Sequence, residues 1–98
     1  MRLAFNLVYK LNTRIDKFLQ TSRLIKQRRY AKEACERGYV FLNGKAAKPS
    51  QEVKPGDRIR LELPSGTTEI EVLAVPETKS ISAEKAVRLY RIISKLGI

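Results

Sequence analysis

The stretch from Arg14 to Gly44 limits the fold more than any other part of the chain, because the hydrophobic period changes inside it. Ile15, Phe18, Leu19, Ser22 and Ile25 recur at helical spacing, which predicts a first helix over roughly 14–25 with Asn12 or Thr13 as its cap. A break follows near Lys26-Gln27. A second helix is predicted over about 28–37, with Ala31, Ala34 and Cys35 on the buried face. Those small residues let two helices approach closely. Gly38 suits the position just past the helix, where a positive φ carries no Cβ penalty. The period then drops to two. Val40 and Leu42 point one way, Tyr39 and Phe41 the other, and Asn43-Gly44 is a strong hairpin signal.

The rest of the chain continues the alternation. Lys54-Pro55-Gly56-Asp57 predicts a turn, Ile59, Leu61 and Leu63 a strand, and Pro64-Ser65-Gly66-Thr67 a second turn. Ile70 and Val72 fall on an antiparallel partner that runs to about Val75. A last helix is predicted from Ser82 to Lys95, with Ala86, Leu89, Tyr90, Ile93 and Leu96 as its apolar stripe. Ahead of Arg14, Leu3, Phe5, Leu7, Tyr9 and Leu11 alternate with more polar positions and read as a strand; the spacing of Leu3, Leu7 and Leu11 also suits one helix face. The expected fold class is α+β: two short helices packed on a small, mainly antiparallel sheet, with a C-terminal helix and an extra N-terminal strand. The expected organisation is an N-terminal extension over 1–13, a binding domain over 14–75 and a helical appendage over 76–98.

Charge narrows the function. Residues 1–60 carry 15 Lys/Arg against 5 Asp/Glu, whereas residues 61–98 carry 5 of each, so the whole excess of +10 lies in the first part. A one-sided excess points to a polyanion, nucleic acid ahead of anionic lipid or acidic protein. Between Arg14 and Lys32 the cations are Arg14, Lys17, Arg23, Lys26, Arg28, Arg29 and Lys32, and the single acid is Asp16. A solvated charged face is the plainer explanation, but acids are too scarce there for intrahelical ion pairs. Lys45 and Lys48, at and after the hairpin tip, add two more candidate phosphate contacts. Asp16 either orients Arg14 or a nearby basic side chain by an ion pair, or complements the helix dipole. Tyr30, Tyr39 and Phe41 border the basic surface; packing is their favoured role, with stacking on an unpaired base as the alternative.

Other classes find little support. There is no His, no cysteine cluster, no glycine-rich phosphate loop and no paired carboxylate, so neither enzyme chemistry nor a cofactor or metal is expected. Cys35 reads as a small core residue. No run of about 18 apolar residues exists and no secretory leader is evident, so no membrane partner is expected and the cytoplasm is the expected compartment.

The motifs R-I-D-K-F-L, S-R-L-I-K-Q-R, A-K-E-A, G-Y-V-F-L-N-G-K, K-P-S and V-K-P-G-D-R-I together resemble the RNA-binding domain of the ribosomal-protein-S-four type, the alpha-L motif, over roughly 14–61. Within that family the chain is similar to the short stand-alone bacterial ribosome-associated quality-control factors first, and to heat-shock protein fifteen second. The segment from Ala83 to Tyr90 resembles the closing helix of both. The resemblance implies Arg14, Asp16, Arg23, Lys26 and Arg28 as RNA-facing positions. It implies large-subunit rRNA, peptidyl-tRNA, the large ribosomal subunit and a peptide-tailing factor as partners, and a monomer is the expected state. The family pattern begins near Thr13 or Arg14, which leaves residues 1–13 as an addition. The other functions to be weighed are recycling of blocked subunits, RNA targeting for a modifying enzyme, and protein binding through the stripe from Ala86 to Leu96.

Overall fold

The computed structural model describes residues 13–75 and 83–97; the strand expected over 1–13 lies outside them apart from Thr13. Strand β1 (Thr13–Arg14) leads directly into helix α1 (Ile15–Thr21), and helix α2 (Arg28–Glu36) follows after a short turn. Then come β2 (Val40–Leu42), β3 (Lys45–Ala46), β4 (Glu52–Val53), β5 (Arg58–Leu63) and β6 (Gly66–Val72). Helix α3 (Ala83–Ala86), a 3₁₀ turn (Val87–Leu89) and β7 (Tyr90–Gly97) close the described chain. Five strands form one antiparallel sheet in the order β3-β2-β5-β6-β7, and β1 pairs separately with β4. This is the small α+β architecture that the periodicity predicts.

The two helices bury their apolar faces on one side of the sheet. Ile15, Phe18 and Leu19 of α1 and Ala31, Ala34 and Cys35 of α2 meet Val40, Leu42, Ile59, Leu61 and Ile70 in one core. Burial stabilises each of the large side chains by about 1.5–3 kcal/mol relative to exposure. Desolvation pushes the Cys35 thiol up to about 11, helped by the nearby charges of Asp16 and Glu36, so it stays a protonated core residue near neutral pH. On the opposite face of the sheet Arg60 lies over the Phe41 ring, 4.6 Å from its centroid, so Phe41 packs within the domain.

The predicted turns form, and a shared network joins the Asn43-Gly44 hairpin to the turn over Lys54–Asp57. Asn43 (φ 51°) and Gly44 (φ 87°) supply the two positive φ values of the β2–β3 hairpin. Asp57, almost fully buried, accepts from Asn43 Nδ2 at 3.2 Å and from the Lys54 backbone N–H at 2.9 Å. The Arg58 N–H donates to Asn43 Oδ1 at 2.9 Å. The hairpin tip is therefore pinned to the turn before β5.

Three expectations need correction. The first helix stops at Thr21, not near Ile25, because Arg23 enters the left-handed region (φ 65°) and its N–H turns back to Gln20 O at 3.0 Å. Arg14 holds the N-cap position of α1, with no side-chain capping bond, so Thr13 does not cap it, and Asn12 lies outside the described residues. The C-terminal helix is a single turn, α3, with its 3₁₀ continuation, and Tyr90–Gly97 forms a strand. The run Tyr90-Arg91-Ile92-Ile93 is rich in aromatic and β-branched residues, which favour a pleated surface, and β6 offers an open edge to pair with. The register shifts between Glu69 and Ile70, a local irregularity that absorbs one residue of β7.

Candidate nucleic-acid interface

The site is built around the N-termini of α1 and α2. Asp16, in the first turn of α1, is 1% exposed. Its carboxylate accepts from Arg14 twice, Nε to Oδ1 at 3.2 Å and Nη2 to Oδ2 at 2.9 Å. Arg28, the first residue of α2, places Nη2 3.4 Å from the same Oδ1. Both arginine side chains remain 47% exposed. One buried carboxylate thus fixes two guanidinium groups from different elements and leaves their outer N–H edges in solvent. The planar fork of each can grip an oxyanion in two bonds. Asp16 fills both roles expected of it, since a first-turn acid also complements the helix dipole.

The first turn of α1 is completed by backbone. Ile15 N–H donates to Gln51 O at 2.7 Å and Asp16 N–H to Pro49 O at 3.3 Å. Gln51 also closes its own loop, its side-chain Oε1 accepting from Lys48 N–H at 3.3 Å and its N–H donating to Lys48 O. The loop that carries Lys48 is thereby docked on the α1 N-terminus, beside the Arg14–Asp16 pair. Sequence reasoning missed the docking of this loop and left open that Arg28 is the second partner of Asp16. Both are contacts between segments far apart in the chain, which periodicity cannot report.

Helix α2 begins against the usual rule. Arg28 and Arg29 occupy its positive dipole end, no acid stands in its first turn, and Gln27 makes no side-chain cap. Cations there cost stability rather than adding it. Local inconsistencies of this kind are expected at functional sites, and a helix N-terminus favours an anion. Lys26, Arg28, Arg29 and Lys32 are exposed, as are Arg23, Lys45 and Lys48, and Lys17 is half-buried. Among the described residues Lys17, Lys26, Lys32, Lys45 and Lys48 form no ion pair. Arg29 rests on the Tyr30 ring, 5.1 Å from its centroid. The structure therefore brings together Arg14, Asp16, Arg28 and the Lys48 loop, and strings Arg29 and Lys32 along α2. Lys45 stands at the pinned hairpin tip.

The described residues hold no cluster of potential metal ligands, and no described helix is long and apolar enough to cross a membrane.

Comparison with known proteins shows the family. The S4 domain model matches residues 13–59. The RQC P-site tRNA stabilizing factor of Bacillus subtilis (strain 168) is 40% identical over 86 residues, which span 86% of this chain and 98% of that protein. The protein of the same name from Helicobacter pylori (strain J99) is 48% identical over 68 residues, 69% of this chain and 81% of that one. Among solved structures, trimeric heat shock protein 15 of Vibrio cholerae superposes with a TM-score of 0.77 at 32% identity, covering 85% of this chain and 83% of that one. With the motifs, the fold and the near full-length relatives in agreement, the chain belongs to the S4-domain family of RNA-binding proteins that includes the bacterial RQC P-site tRNA stabilizing factors.

Proposed function

We propose that this chain is an RNA-binding factor of bacterial ribosome-associated quality control, acting on obstructed large ribosomal subunits through rRNA and peptidyl-tRNA. One observation carries the reading: buried Asp16 holds Arg14 and Arg28 side by side at a helix start where cations are otherwise unfavourable. The names of its near full-length relatives supply the ribosomal setting. The mechanism is positioning. Arg14, Arg23, Lys26 and Arg28 hold phosphates around the helix pair, Lys17, Arg29 and Lys32 extend the surface, and Lys45 and Lys48 add contacts from the hairpin and its loop. Phosphate contacts of this kind set orientation and register and carry no sequence information. A tRNA held in one arrangement then supports a partner factor that extends the stalled peptide at its C-terminus. The protein works in the cytoplasm as a monomer and does no chemistry of its own.

Sedimentation of tagged protein from lysate tests this. The protein is expected to travel with large subunits that carry peptidyl-tRNA. Migration with small subunits, or at the top of the gradient at low salt, would contradict it. The likeness to heat shock protein 15 favours a second reading, recycling of blocked subunits. Loss of the gene separates the two: C-terminal tails on stalled peptides disappear under the first and persist under the second.

A further inference from the structure

Helix α2 has a second face that the phosphate-binding reading leaves unused. Tyr30 and Ala34 on this face line a groove of about 370 Å³, closed by Ile25 before the helix, Tyr39 after it, and Leu63 and Pro64 at the end of β5. Tyr39 and Leu63 pack against the core, but Tyr30 is 44% exposed. Glu33 and Arg37 also line the groove, one helical turn apart. Arg37 donates from Nε at 3.2 Å and from Nη2 at 2.9 Å, both to Glu33 Oε2. That geometry leaves Glu33 Oε1 free of this pair, and both side chains are more than half exposed, at 51% and 60%. Arg29 joins the groove to the basic surface: its guanidinium lies over the Tyr30 ring, and its Nη2 is 3.4 Å from the Tyr30 hydroxyl.

We infer that this groove receives one unpaired nucleobase of the RNA whose phosphates the helix pair holds, and that guanine fits it best. The inference rests on the RNA-binding reading above. A base stacks on an exposed aromatic ring whatever its identity, and an arginine beside the ring adds a cation–π contribution. The same arginine continues the row of Arg28 and Lys32, so a strand with its phosphates on that row passes the mouth of the groove. The wall sets the preference. The pairing edge of guanine sets its O6 acceptor beside its N2 amino donor, which suits an arginine standing next to a carboxylate. Arg37 and Glu33 offer that complement side by side. An apolar protein segment would bury the Glu33–Arg37 pair and the Arg29 charge without partners for them, at a desolvation cost that a nucleotide avoids.

The test uses the full-length chain and a short RNA hairpin with a five-nucleotide unpaired overhang. The fluorescent base 2-aminopurine is placed at each overhang position in turn. Quenching at one position is expected on binding. An abasic residue at that position should weaken binding roughly 5- to 100-fold. Tyr30→Ala should remove the quenching and weaken binding by a similar factor, with melting unchanged, while Tyr30→Phe keeps both. Arg28→Ala should weaken the abasic and intact RNAs alike. Quenching at no position, with Tyr30→Ala equal to wild type and Arg28→Ala still weak, overturns the groove and leaves the RNA reading standing. Equal binding of guanine and adenine at the quenched position overturns the guanine assignment. Failure of the wild-type chain to bind any of these RNAs at low salt removes both readings together.

Discussion

At the scale of single residues the chain spends stability on geometry, and Asp16 and Arg23 show how. Asp16 is a buried carboxylate whose ion-pair and side-chain partners are the two arginines of the site. Replacing it with Ala frees both guanidiniums without adding a clash. Charge-assisted hydrogen bonds contribute about 1.5–3 kcal/mol when shielded, and half-exposed arginines bring this to the lower end. Asp16→Ala should therefore lower fold stability by about 1–2 kcal/mol in denaturant melts. It should also weaken RNA binding, although it removes a negative charge from a basic surface. Tighter binding after that change would show that Asp16 only dampens the field. Arg14→Ala and Arg28→Ala should weaken binding with the fold intact, whereas Lys95→Ala on β7 should leave it unchanged within error. Arg23 holds φ 65° at a helix end where glycine is the usual residue. Glycine takes that φ without strain, so Arg23→Gly should keep the fold while weakening RNA binding, as expected if the side chain contacts phosphate. A variant that is both less stable and fully competent in binding would contradict that assignment.

At the scale of elements, the sequence was most legible where the pattern is local. The 3.6-residue period of Ile15, Phe18 and Leu19, the alternation of Ile59 and Leu61, and the positive φ pair at Asn43-Gly44 all report backbone geometry through near neighbours. Gly38 likewise ends α2 as expected, its N–H on Cys35 O at 3.1 Å and the Tyr39 N–H on Ala34 O at 2.9 Å. The C-terminal segment shows where this fails. Ala86 and Leu89 are buried, as a helix stripe would have them, but the continuation from Tyr90 is decided by the open edge of β6. With Ile92 and Leu96 left exposed, intrinsic periodicity gave a helix where long-range pairing makes a strand. The pairing sets a prediction. A chain ending at Leu89 should lose several degrees of melting temperature and aggregate, because the apolar and β-branched edge of β6 becomes open to other chains. RNA binding per folded molecule should survive, since no proposed contact lies on β7. Unchanged solubility and melting would mean that β7 adds nothing to the sheet.

At the scale of the whole molecule, the asymmetry of charge is the feature most plainly written in the sequence. The contacts that organise it are the least so. Composition places the excess of +10 in residues 1–60 but says nothing of the loop from Lys48 to Gln51 docked on α1, or of Arg28 reaching Asp16. Folding turns a linear run of cations into a two-arginine clasp with further cations along one helix. Such a surface binds RNA largely by releasing the counterions of the phosphates it replaces. The most direct measurement is therefore the affinity of the full chain for a structured RNA across a series of salt concentrations, repeated with the Arg14→Ala/Arg28→Ala double variant. About 4–6 phosphate contacts predict that log K falls against log salt with a slope of roughly −3 to −5, and that the double variant is shallower by about 2. A slope near zero, or one that the double variant leaves unchanged, would contradict the helix-pair site.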